Sequence, residues 1–327
     1  MISLSVKTIH GQKYIYANDF IYLNKGTLIF KNKSLGRFGP SIDRTKKLSQ
    51  FKQEIEKLEI EKRTFYWLPK TLHKKAFFYS PVKKLEALRT KLYRGKENLG
   101  AEGNRAMETA FIIDFIYNSN KIEGSRLPQK QVTQFVREGS HGKNNEVANT
   151  IKAIDYFNGE TFPFSFLKLE KGQKILLAQE PDKHGFRKDP FLAGNAPVLE
   201  PEAIEKHLES LFDWYKRNAN KLYPPELAFL FHYRFERIHP FPDGNGRIGR
   251  ILMNWILKKH KYHPIIVWDN RRRAYFSVFE KAMEGDVDSY LKFMFEQYVK
   301  TYEIYLKKLT PTVSFDEQLK HFLTLVP

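Results

Sequence analysis

Twelve consecutive residues, His239-Pro240-Phe241-Pro242-Asp243-Gly244-Asn245-Gly246-Arg247-Ile248-Gly249-Arg250, collect most of what a phosphate-transferring site needs. His239 is the side chain suited to accept a proton near neutral pH. Asp243 offers a carboxylate that can hold Mg²⁺ while the ion also bridges phosphates. Gly244 and Gly246 let the backbone approach a ligand closely, with Asn245 between them. Arg247 and Arg250, three apart, share one face of a helical first turn and can both reach an anion.

The neighbouring elements explain how these groups are held. Pro225 to Ile238 reads as a helix with Leu227, Phe229, Leu230, Tyr233 and Ile238 as apolar contacts. Pro240 and Pro242 cannot continue it. A second helix is predicted from about Arg247 through Ile251, Leu252, Trp255 and Ile256. Helix, glycine-rich loop and helix then aim backbone N–H groups and a helix N-terminus into one turn, which suits phosphate oxygens. Other phosphate motifs do not fit: G-x-G lacks a third glycine and follows a helix, and no Lys follows the second glycine as in a P-loop. His232, Glu236 and His239 lie at i, i+4 and i+7, but zinc proteases need a different spacing.

The stretch resembles the signature of the Fic family, HPFx(D/E)GNGRxxR, and matches every fixed position. The resemblance implies a mainly α Fic-fold helical bundle with a short β-hairpin flap, here with a small β-containing N-terminal extension. It implies transfer of AMP from ATP, with Mg²⁺, to a Ser, Thr or Tyr hydroxyl of a protein target, and releases pyrophosphate. His239 would be the catalytic base, Asp243 the metal ligand, and Gly244, Asn245, Gly246, Arg247 and Arg250 the nucleotide cradle. A phosphorylating branch of the family departs from the glycines kept here at 244 and 246.

Upstream, a strongly apolar helix is predicted over Arg105 to Lys121, ending in Ser119-Asn120-Lys121-Ile122-Glu123-Gly124. The pattern S-x-x-x-E-G is similar to the family's inhibitory helix. By that resemblance Ser119, Glu123 and Gly124 form the inhibitory element, and Glu123 pairs with Arg250 and keeps it from the γ-phosphate. The plainer reading is a helix-end glutamate followed by a C-terminal glycine. The segment from Gly185 to Pro197 breaks the helical pattern, with Ala193-Gly194-Asn195 as a hairpin tip. The family resemblance makes this the flap over the site, which docks a target strand. Arg271 to Glu284 resembles the segment whose aromatic pair lies near the adenine, here Tyr275 and Phe276. Further helices are expected over Leu127 to Val136, Asn145 to Asn158, Pro163 to Gln179, Glu200 to Asn218 and Asp286 to Lys308.

The whole chain of 327 residues is long enough for a sizeable core, and 42% apolar and 28% charged residues describe a globular protein. No cysteine is present, which excludes disulfides, thiolate metal sites and a cysteine nucleophile. No run of eighteen apolar residues exists and the start lacks the apolar core of a signal peptide, so no membrane partner is expected and cytoplasm fits best. Of the net charge of +18, most sits in residues 1–100, which hold 22 basic and 8 acidic side chains. A dedicated nucleic-acid surface is open on that asymmetry, but a solvated basic face is favoured, as no nucleic-acid motif accompanies it.

Residues 1–40 are read as a β-rich basic extension, with turns at His10-Gly11 and Asn24-Lys25-Gly26. Residues 41–104 are a helical basic segment with Leu48, Phe51, Ile55 and Leu58 at helical spacing, 105–310 the Fic domain with its inhibitory helix, and 311–327 a tail. The function expected is a protein adenylyltransferase autoinhibited by Glu123, which also modifies itself, with a homodimer left open. The alternatives are removal of AMP at the same site, with Glu123 orienting water, or a basic binding protein in which that site is secondary.

Overall fold

The computed structural model describes residues 2–24, 27–38, 44–138, 145–159, 164–190, 192–193, 196–197 and 199–309. The chain divides into two compact units. One comprises Met1–Pro69, Tyr79–Arg105 and Tyr302–Pro327, the other Lys70–Phe78 and Ala106–Thr301.

The first unit begins with an antiparallel meander of β1 (Ser3–Ile9), β2 (Gln12–Asn24) and β3 (Thr27–Arg37). Ile9 faces Gln12 across a two-residue loop in which His10 and Gly11 both take positive φ, the geometry of a tight hairpin turn. Of the second turn, Lys25 and Gly26 lie outside the described residues. Alternation then decides the burial: Ile15, Ala17, Ile21 and Leu23 point to one face and bury against Leu48, Phe51 and Ile55 of α1 (Arg44–Trp67). The helix α2 (Tyr79–Glu97) packs beside α1.

A charged network is buried between these elements. Arg94 of α2 bonds Asp19 of β2 and Glu59 of α1, each at 2.7 Å. Arg63 bonds Glu86 at 2.5 Å and the backbone carbonyl of Tyr22 at 3.0 Å. Burial alone would lower the Arg94 guanidinium, but Glu59 and Asp19 outweigh it and hold it above its ordinary value.

Helix α2 ends at Glu97 and α3 (Ala101–Ile122) starts at Ala101, ahead of the Arg105 start expected from the sequence. The second unit continues with α4 (Gln129–Glu138), α5 (Asn145–Gly159) and α6 (Phe166–Leu176). The expected tip Gly194-Asn195 lies outside the described residues, but Leu192–Ala193 (β4) pairs antiparallel with Ala196–Pro197 (β5). Then follow α7 (Ile204–Asn218), α8 (Pro224–Ile238), α9 (Asn245–Lys259), α10 (Arg272–Met283) and α11 (Val287–Lys307). The tail from 311 lies outside the described residues.

Two prolines open α8, where their missing N–H groups cost nothing. The hairpin of α8 and α9 is the centre of this unit, and aromatic side chains fill its surroundings. Phe164 stacks on Phe231 at 4.5 Å and meets Tyr215 and Trp255 edge-on. Among the described residues no helix is long and apolar enough to cross a membrane.

Candidate active site

Helix α8 ends at His239, whose backbone is left-handed (φ 47, ψ 60) and whose N–H still donates to Phe235. A histidine tolerates this conformation at a cost that glycine would not bear. Pro240 turns the chain away, and Gly244, also left-handed at φ 86, lets α9 begin at once. The helix therefore starts at Asn245, two residues before the position read from sequence. The reason is the Asn245 side chain: its Oδ1 accepts the Phe241 N–H at 2.9 Å and its Nδ2 donates to the Phe241 carbonyl at 2.7 Å. Both ends of the amide are used in bracing the loop, so any part Asn245 plays toward an anion falls to its backbone N–H. Phe241 is buried and stacks on Phe186 at 5.4 Å.

Asp243 is surrounded by donors. Its Oδ1 accepts from the Gly244 N–H at 2.5 Å and from Arg247 at 3.0 Å, and its Oδ2 accepts from Lys183 at 3.1 Å. Partial burial would raise its pKa, but Arg247 and Lys183 pull the carboxyl below the usual range. Lys183 in turn bonds Glu180, and with these two acids its own pKa rises.

Arg250 turns the other way. Only 2% exposed, it donates Nε to Ser119 Oγ and Nη2 to the Ser119 carbonyl, both at 3.0 Å, and Nη2 to Glu123 Oε1 at 2.7 Å. Burial alone would lower the guanidinium; Glu123 outweighs it and holds it above its ordinary value. Glu123 occupies its position because α3 ends there. Gly124 is left-handed at φ 100, its N–H donates to Lys121 and that of Ser125 to Asn120, the two bonds of a Schellman cap. The close approach also explains Gly246: a methyl there would lie 2.3 Å from Glu123 Oε1 and 2.9 Å from Arg250 Nη1. Arg247 and Arg250, expected to share one anion, thus face different carboxylates.

His239 lies over a buried pair. Burial lowers the His239 imidazole to about 4, so it is neutral at physiological pH. Glu236 stands 3.9 Å from His239 Nδ1 and 3.7 Å from His232 Nδ1, both longer than hydrogen bonds. Burial pushes the Glu236 carboxyl up to about 8, against the pull of Arg250. His232 is fully buried, with its pKa driven well down, and shares a 2.6 Å hydrogen bond with the Tyr275 hydroxyl. Tyr275 itself is 2% exposed among Phe279 and Phe293, whereas its neighbour Phe276 is 40% exposed under Arg272.

Three contributors escaped the sequence reading. Lys183 reaches Asp243 from 60 residues upstream. Gln173 of α6 donates to the carbonyls of Lys183 and Asp243, tying that lysine to the loop. Arg187 is buried and donates Nε to the His239 carbonyl at 2.7 Å, Nη1 to Asp189 and Nη2 to Leu199 and Ile238, while its N–H bonds Pro240. One guanidinium thus joins the stems on both sides of the β4–β5 pair to the loop carrying His239. No spacing announced these residues; only the break at Gly185 to Arg187 marked the place.

Residues 164–257 match the Fic/DOC family model, which takes in α6 through most of α9. A protein named protein adenylyltransferase Fic from Nematostella vectensis is 30% identical over 221 residues, 63% of this chain and 51% of that protein. The chain spans about half the length of the curated relatives it matches. Among solved structures, a Fic-domain signaling protein from Bacteroides thetaiotaomicron superposes with a TM-score of 0.61 at 25% identity, covering 69% of this chain and 97% of that one. The C. elegans protein Fic-1 superposes with 0.61 at 22% identity over 69% and 72%, a likeness of fold. The mainly helical fold with a small sheet is therefore a Fic fold.

Proposed function

We propose, on the premise that residues 164–257 are a Fic/DOC family domain, that this chain is a protein adenylyltransferase that moves AMP from ATP to a hydroxyl of a protein. The observation that carries the reading is the neutral His239, held by a left-handed backbone in the turn that leads into the N-terminus of α9. A proton acceptor and a phosphate cradle therefore share a single loop.

In this mechanism the attacking Ser, Thr or Tyr hydroxyl gives its proton to His239 while its oxygen bonds the α-phosphorus. The bond from that phosphorus to the bridging oxygen breaks, and pyrophosphate leaves with the electron pair. Free backbone N–H groups at the start of α9 hold the non-bridging oxygens, and Arg247 steadies the outer phosphates. Polyphosphate beside His239 favours its charged form, raising its low pKa toward a value useful for a base. Of the aromatic pair, Phe276 is the accessible member for the adenine.

Asp243 fits a Mg²⁺ ligand because its carboxylate already gathers Lys183, Arg247 and an N–H, the positive charge an ion would supply. Among the described residues no cluster of three His, Asp or Glu forms a metal cage. One carboxylate completed by phosphate oxygens and water is a usual way to hold Mg²⁺. The bound ion would neutralise charge on the phosphates.

Glu123 is the brake in this reading. It occupies Arg250 on the side where the γ-phosphate would otherwise be held. The test is mass spectrometry of the chain with ATP and Mg²⁺, with His239→Ala as control. Addition of AMP, reduced at least about a hundredfold in the control while ATP binding persists, is the expected result. Addition of phosphate, or no difference between the two proteins, would refute the proposal. Glu123, 33% exposed and held through one oxygen, also supports a second reading in which it orients water to remove AMP. Loss of AMP release from a modified target in Glu123→Gly would favour that direction.

A further inference from the structure

The meander has a face that the core does not use. While Ile15, Ala17 and Ile21 point inward, the alternate residues of β2 point outward with their partners on β1 and β3. At one end Phe20 pairs with Phe30, rings 5.0 Å apart, and Tyr22 pairs with Leu28. These four side chains are 46–59% exposed, an unusual gathering of large apolar groups on a sheet surface. Tyr16 continues the line, with the Lys7 ammonium 4.6 Å from its ring centroid. Beyond it Tyr14 lies between Lys7 and Arg37 in the register.

The composition of the face selects its partner. It carries no acid at all: the only Asp or Glu in residues 1–40 is Asp19, which is buried on the opposite side against Arg94. Of the six Lys and Arg in those forty residues, Lys7 and Arg37 flank Tyr14 on this face. Here the middle is polar, with Asn18 bonding Ser5 at 2.8 Å and Asn32 facing Asn18. Rings for stacking, amides and hydroxyls between them, and cations at one end suit a single nucleic-acid strand. Asn18 is buried and spends its amide donor within the sheet, so Asn32, which is exposed, is the amide of the middle that offers a donor and an acceptor to a 2′-hydroxyl.

We propose that this outer face of the β1–β3 sheet binds single-stranded RNA. Bases stack on Phe20, Phe30 and Tyr16, and phosphates reach Lys7 and Arg37. The proposal does not depend on the proposed transfer of AMP.

The test is fluorescence anisotropy of the full chain with a labelled oligouridine of about 12 nucleotides. Binding is expected to weaken with salt on a shallow slope, about −0.7 for each of the two phosphates neutralised. Phe20→Ala with Phe30→Ala should weaken it at least about tenfold. Both side chains are exposed, so circular dichroism and AMP transfer should be unchanged. Lys7→Glu should weaken binding without removing a ring. Undiminished binding by the double variant, with a steep salt slope, would mean attraction to bulk charge and would overturn the proposal. Equal affinity for the matching DNA strand would overturn the choice of RNA. No RNA binding, together with a dimer in light scattering that the double variant dissolves, would make the face a contact between copies.

Discussion

Asp243, Arg247 and Arg250 already have partners in the candidate site, and those partnerships set the outcomes of substitution. Glu123→Gly releases Arg250 from its shortest contact and should raise self-labelling from α-labelled ATP at least about tenfold, near 1.4 kcal/mol of transition-state stabilisation. Adding Arg250→Ala should cancel the gain, because the two residues are coupled; labelling that stays high in the double variant would separate them. The neutral His239 gives a second outcome. Its protonated form cannot act as base, so kcat/KM should hold as pH falls and drop only as the free enzyme passes about 4. A fall centred near 6.5 would mean that His239 is not held in the low-pKa state. Motif spacing made His239, Asp243 and the arginines legible because chemistry and sequence adjacency coincide in that loop. It could not show that the Asn245 amide is consumed by Phe241, or that Lys183 already sits on Asp243, since those contacts depend on how the chain returns.

Among the elements, the helices were legible wherever apolar periodicity continued, as in α8 and α9, and their ends moved where a local bond intervened. The aromatic pair of α10 is instructive: Tyr275 and Phe276 are adjacent in sequence, yet the helical turn sends one to His232 in the core and the other to solvent. Nor did the sequence disclose how β2, α1 and α2 are joined. Helical periodicity marks Leu48 and Phe51 as core, but nothing in it selects Asp19, Glu59 and Arg94 as partners. Arg94→Ala removes the cation shared by those two buried carboxylates, leaving Glu59 with Arg89 at 3.6 Å, and should cost about 3–5 kcal/mol of stability, measured by urea unfolding. A loss below about 1 kcal/mol would show that the network behaves as a surface pair does.

For the whole molecule, the titration of buried groups shapes stability against pH. His239 is lowered from 6.5 to about 4, so the unfolded chain binds more protons between those values and stability climbs as pH rises through that window. Glu236 is raised from 4.5 to about 8, so the folded chain binds the extra proton there and its contribution is lost as pH rises. Glu236→Gln should therefore flatten the decline in melting temperature between 6.5 and 8 relative to the parent chain; parallel curves would place the Glu236 pKa near its ordinary value. The single guanidinium of Arg187 has a different kind of consequence. Because it grips both stems of the β4–β5 pair and the carbonyl of His239 at once, tension applied at the pair is transmitted to the residue that would take the proton in the proposed transfer. A target strand laid along the pair would then act as a lever as well as a tether. Shortening a peptide substrate on the side away from its hydroxyl should lower kcat more than it raises KM. In Arg187→Lys, where one ammonium cannot span those carbonyls, long and short peptides should turn over alike.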